Sequence, residues 1–186
     1  RAAKLPSWWG DVRTAAGVVL VTQGTFDNTD LTQLIAPTLD ALADRDDILV
    51  VATTGGRRAG QTLPRRIPRN ARLVDWVPYP ALMPHVDVMV TNGGYGSVQY
   101  ALRHGVPLVV AGETSDKAEV AARVEHSGAG VDLKIATPSP AAVRAAIDRI
   151  EADGSFRAVA ARLRDEIEKA TPIDAIANAL KRCCDA

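Results

Sequence analysis

The chain has 186 residues, 47% apolar and 24% charged, which suits one globular domain with a single core. Its 22 basic and 22 acidic residues balance, so no bulk pull toward nucleic acid or an anionic membrane is expected. Aromatics, at 4%, are too scarce for a single-strand stacking platform, and no apolar run approaches the ~20 residues of a membrane span.

Residues 1–16 read as an irregular linker or N-terminal extension, with Trp8 and Trp9 packing onto a neighbour; 17–186 reads as the folded domain. The start at Arg1 rather than Met fits a piece of something longer. An apolar strand at 18–22 runs into Gln23-Gly24-Thr25-Phe26-Asp27. A helix fits 31–42, capped by Asp30, with Leu31, Leu34, Ile35, Thr38, Leu39 and Leu42 as its inner stripe. The next strand, 48–52, stops at Thr53-Thr54-Gly55-Gly56. Arg57 and Arg58 follow, read either as solvated or as near a ligand's phosphates. Residues 61–70, with Pro64 and Pro68, read as loop. A short strand at 72–74 leads into the turn Asp75-Trp76-Val77-Pro78-Tyr79-Pro80 and a short helix at 81–83.

The most informative stretch is 87–117. A strand at 86–90 enters the glycine turn Asn92-Gly93-Gly94-Tyr95-Gly96-Ser97, and a helix at 98–104 follows. A second strand, 107–110, ends at the polar cluster Glu113-Thr114-Ser115-Asp116-Lys117. Glycines let backbone approach a ligand, and a helix start offers free N–H groups at the positive end of its dipole. Such a site suits a phosphate beside something with hydroxyls. A helix at 117–127, a strand at 131–133 and helices at 140–151, 155–168 and 172–183 complete the chain. Ser139-Pro140 is a good helix start. Cys183 and Cys184 read as free thiols of an intracellular protein, and His85, His104 and His126 as surface or packing residues.

Continuous apolar strands alternating with helices predict an α/β fold: a Rossmann-like, doubly wound parallel sheet of about six strands with helices on both faces. Such sheets bind ligands beyond the carboxyl ends of their strands, where strand order reverses. The loops expected there, 23–28, 53–56, 75–79, 92–97 and 112–117, are all rich in Gly, Thr, Ser, Asn or Asp.

Together these segments resemble the C-terminal, donor-binding domain of GT-B glycosyltransferases of the GT1 type, similar to macrolide and natural-product UDP- or dTDP-glycosyltransferases. The resemblance rests on Asn92-Gly93-Gly94-Tyr95-Gly96-Ser97, Gly105-Val106-Pro107-Leu108-Val109, Asp116-Lys117, Ala122-Arg123-Val124, Asp75-Trp76-Val77-Pro78 and Val21-Thr22-Gln23-Gly24-Thr25, in that family's order and spacing. It implies an inverting transferase that moves a sugar from a UDP- or dTDP-sugar to an acceptor hydroxyl, acting in the cytoplasm without a bound metal or other cofactor. It also implies that an N-terminal acceptor-binding domain, absent from this chain, supplies the general base. Asn92, Gly93 and the N–H groups of Gly94, Tyr95, Gly96 and Ser97 would hold the diphosphate, with the Ser97 hydroxyl adding a bond. Trp76 would stack on the base, and the Val77 backbone would pair with its edge. Gly24 and Thr25 would line the cleft near the sugar's phosphate, with Asp116 and Lys117 at the sugar.

Three positions depart from the commoner family pattern: Asn92 for His, Tyr100 for a Glu that binds ribose, and Lys117 for Gln. Simpler readings stand beside the roles: Trp76 as core, Asp116 as a helix cap, Lys117 as a solvated charge. Rival functions are a stand-alone nucleotide-sugar binding module, a sugar-nucleotide epimerase and an NAD-dependent Rossmann oxidoreductase. The last is weakened by Gln99 standing where the third fingerprint glycine belongs.

Overall fold

The computed structural model describes residues 5–56 and 60–184. Among them, six parallel strands form one sheet: β1 (Gly17–Thr22), β2 (Ile48–Thr53), β3 (Ala71–Val74), β4 (Val88–Thr91), β5 (Leu108–Val110) and β6 (Gly130–Asp132). Their order is β3-β2-β1-β4-β5-β6. The helices are α1 (Trp9–Thr14), α2 (Ile35–Ala41), α3 (Tyr79–Leu82), α4 (Tyr95–Arg103), α5 (Lys117–Ser127), α6 (Pro140–Ala152), α7 (Ser155–Lys169) and α8 (Pro172–Cys184).

The strands read as unbroken apolar runs because both faces of the sheet are covered. Val19, Val21, Val50 and Val90 pack with Ile35 and Leu39 of α2 and Val143 and Ile147 of α6. Their neighbours Val18, Leu20, Val51 and Met89 pack with Val12 of α1, Val98 of α4 and Val124 of α5. Strand order reverses between β1 and β4, which lie side by side with Thr22 opposite Thr91. The loops after these two strands therefore flank a crevice, the usual ligand position of a doubly wound sheet.

Three expectations change. The start of the chain is not irregular: α1 lies at 9–14, Trp9 and Val12 are core residues of this domain, and Arg72 pairs with Asp11. Trp9 is thus buried here rather than on a neighbour. The helix expected at 31–42 begins only at Ile35. Asp30 accepts from the Thr32 amide (2.9 Å) and hydroxyl (2.6 Å), an Asx turn that competes with a helix start. Its expected apolar stripe is nonetheless buried throughout. Finally, α4 starts at Tyr95 rather than Val98, because the amides of Ser97 and Val98 both donate to the Gly94 carbonyl. Tyr95, Gly96 and Ser97 thereby become the first turn of the helix.

Candidate functional site

Two cavities open at the carboxyl edge of the sheet. One, of about 410 Å³, is lined by Thr22, Thr53, Trp76, Val77, Tyr79 and Tyr100. The other, of about 420 Å³, is lined by Phe26, Asp27, Asn92, Tyr95, Asp116 and Lys117. Gly24, Thr25, Gly96 and Ser97 line both, so the cavities meet at the start of α4. The convergence expected from five separate loops is present.

In the first cavity Trp76 is 67% exposed and packs over Gly56 rather than into the core. A Cβ on Gly56 would overlap the indole, and its φ of +78 is itself a glycine conformation. Val77 behind it is buried, and the Thr54 hydroxyl donates to Asp75 at 3.0 Å, holding the segment to the end of β2. Tyr79 and Tyr100 form an edge-on pair with ring centroids 5.5 Å apart, and Tyr100 stacks on His104 at 5.0 Å. The Tyr79 hydroxyl lies 3.2 Å from Thr53 Oγ1. Thr53 and Tyr79 fall in the loops 53–56 and 75–79 expected at this edge, although the sequence assigns neither a role of its own. Their position at a strand's carboxyl end was the available signal. Among the described lining residues of this cavity there is no carboxylate.

Asn92 is buried between the loops after β1 and β4. Its Nδ2 donates to the Gln23 carbonyl at 2.8 Å and to that of Asp27 at 3.4 Å, while its Oδ1 accepts from the Gly94 amide. The Ser97 amide donates to Gly94. Among the described residues the Tyr95 and Gly96 amides have no protein acceptor, and they stand in the first turn of α4. Those two N–H groups and the Ser97 hydroxyl, with the Thr25 hydroxyl from the loop after β1, are the donors grouped where the cavities meet. Gly93 is buried behind the turn and lines neither cavity.

Lys117 is not a solvated charge. Its side chain is 12% exposed, and its ammonium lies 2.8 Å from both Asp27 Oδ2 and Thr114 Oγ1. Its aliphatic stem crosses Gly112, where a Cβ would also overlap the Asn92 carbonyl oxygen; this is where the two loops close on each other. Asp116 is exposed and stands at the N-cap position of α5, but its side chain makes no capping bond. Ser115 before it has φ 56, a left-handed conformation uncommon outside glycine and frequent at ligand sites. Thr114 belongs to the same polar cluster as Lys117, whereas Asp27, 90 positions away, was not singled out and only the fold brings it there.

Arg57 and Arg58 lie outside the described residues. The single Asp-x-Asp run, Asp44-Arg45-Asp46, precedes β2 at the opposite edge of the sheet, with Arg45 paired to Asp47 and Glu151. Among the described residues no group of three or more His, Cys, Asp or Glu side chains could hold a metal ion. None of their helices is long and apolar enough to cross a membrane. His104 is a packing residue on Tyr100, and the Cys183 thiol is free and exposed.

Residues 36–182 match the family described as the erythromycin biosynthesis protein CIII-like, C-terminal domain. The chain is 51% identical over 161 residues to 4'-demethylrebeccamycin synthase of Lentzea aerocolonigenes, covering 87% of this chain and 37% of the relative. It is 46% identical over 165 residues to UDP-glucosyltransferase A1 of Starmerella bombicola, covering 88% and 35% respectively. The structure of the glycosyltransferase VinC in complex with dTDP superposes with TM-score 0.70 at 30% identity, over 90% of this chain and 41% of that one. The chain thus spans little more than a third of the length of the curated relatives it matches.

Proposed function

Because the chain belongs to the erythromycin biosynthesis protein CIII-like C-terminal domain family, we propose that it is the donor-binding half of an inverting glycosyltransferase acting on a natural product. The observation that carries the reading is the meeting of two cavities at the start of α4. A nucleoside diphosphate sugar has that shape: a flat base, a doubly charged linker and a polyhydroxylated ring.

The base of UDP or dTDP lies on Trp76 with its edge against the Val77 backbone. The diphosphate meets the Tyr95 and Gly96 amides and the Ser97 hydroxyl at the positive end of α4. These donors hold the leaving diphosphate with no metal ion or other cofactor. The sugar extends toward Asp116 and Lys117. Tyr100, in place of a carboxylate, presents an aromatic wall near the ribose. The acceptor and the base that deprotonates it belong to an N-terminal domain comparable in size to this one. That domain is the chief partner, and the chain alone binds donor but transfers sugar poorly. The cytoplasm is the compartment this reading assigns, consistent with the free Cys183 thiol.

Calorimetry with UDP, dTDP, GDP and NAD tests the reading. Saturable binding of UDP or dTDP, with GDP and NAD much weaker, is the expected result. Binding of NAD alone, or of no pyrimidine nucleotide, rules it out.

A further inference from the structure

Lys117 and Asp27 are the ends of a short bridge across the mouth of the crevice. The ion pair joins the loop after β1 to the start of α5, and both residues also line a narrower cavity of about 100 Å³ behind it. They therefore form the wall between that crevice and the larger, sugar-side cavity. This wall retains hydrogen-bonding capacity. An ammonium has three donors, and two are used, on Asp27 and Thr114. A carboxylate has about four acceptor sites, and those occupied on Asp27 are on Oδ2. Asp116, exposed at the same cavity, makes no capping bond to its own helix.

The rest of the lining is mixed in character. Among the described lining residues of the sugar-side cavity there is no aliphatic side chain. Its largest apolar side chains are aromatic, Phe26 and Tyr95, exposed at 90% and 62%. A methyl or methylene group set against Asp27, Lys117 and Asp116 would strip water from three charges and return no hydrogen bond. Hydroxyl groups replace that water with charge-assisted hydrogen bonds.

We propose that Asp27 is a specificity-determining residue, and that with Lys117 and Asp116 it selects a fully hydroxylated hexose over a deoxy sugar on the donor. The inference rests on the nucleotide-sugar reading above and deepens it. A site built to bond a substrate hydroxyl rejects the analogue lacking it more strongly than an apolar pocket rejects an extra methylene. In an open cavity the expected discrimination is roughly tenfold to a hundredfold, short of what enclosed sites reach.

The test is calorimetry on this chain with UDP, UDP-glucose and the 4-deoxy and 6-deoxy analogues of UDP-glucose, or the dTDP series if dTDP binds better. At least one deoxy analogue should bind tenfold or more weakly than the glucose donor. Asp27→Ala and the isosteric Asp27→Asn should shrink that ratio toward one, while Asp27→Glu restores part of it. Asp27 is half exposed on a loop, and a thermal melt matching the parent shows that each variant is folded. Equal affinities for all three sugars in the parent chain, with UDP binding intact, overturn the inference alone. So does a ratio unchanged by Asp27→Ala. Failure of every uridine and thymidine nucleotide to bind overturns the donor-domain reading and this inference with it.

Discussion

Asn92 Nδ2 donates to the carbonyl of Gln23 over 2.8 Å, across 69 positions of sequence, and so ties the loop after β4 to the loop after β1. The bond is buried and sits at the point where strand order reverses. Asn92 accordingly acts on the turn by positioning it, and its amide donor is spent on protein. Asn92→Ala leaves the Gln23 carbonyl without this partner, which costs about 1–3 kcal/mol for a buried group. Urea unfolding should show a lower midpoint at an unchanged slope. Because the turn loses its anchor, UDP affinity should fall too.

Trp76 makes the opposite prediction. It is largely exposed, so Trp76→Ala should move the unfolding midpoint little. Base stacking is worth about 1–3 kcal/mol, so nucleotide affinity should drop roughly tenfold or more. Calorimetry beside a thermal melt separates the two effects. An unchanged affinity would remove Trp76 from the site.

Gly56 supports that indole from beneath. Gly56→Ala forces a side chain into a φ of +78 and against the Trp76 ring. The left-handed conformation alone costs about 1–3 kcal/mol for a residue with a Cβ. Tryptophan emission should shift as the ring is displaced, and the shift should vanish in a Trp76→Phe background.

The Ser139 hydroxyl accepts from the Ala142 amide at 3.2 Å and caps α6. Ser139→Ala should destabilise the domain by about 1 kcal/mol, and Ser139→Asp should restore most of it. Nucleotide affinity should be unaffected, since α6 lies away from the cleft.

Acid sensitivity has a local source before β2. Bonds from Arg45 hold the Asp47 carboxyl below its ordinary 3.8. A carboxylate with a depressed folded-state pKa contributes stability above its unfolded pKa and loses it as pH falls through the folded value. The contribution is therefore intact at neutral pH and fades as pH drops below 3.8. Asp47→Asn should flatten that part of the stability curve. Asp47 is well exposed, so high salt should reduce the difference between parent and variant.

The class of fold, the strand–helix alternation and the glycine turn were legible in the linear chain, because they depend on local rules. Apolar runs bounded by Gly and Pro mark buried strands, and Asn92 to Ser97 carry their phosphate chemistry in consecutive residues. The starts of α5, α6, α7 and α8 were legible too, while two others moved: Asp30 chose a turn over a cap, and Gly94 set α4 three residues early. Asp116 and Lys117 were legible as a polar pair, but the partner that Lys117 takes across the crevice was not. Asp27 and Lys117 lie 90 positions apart, and Asn92 and Gln23 lie 69 apart. Only the parallel pairing of β1 with β4, and of β4 with β5, carries their loops to one edge. Hydrophobic burial on both faces of the sheet holds those strands in register. The polar contacts at the cleft follow from a packing decision made in the core.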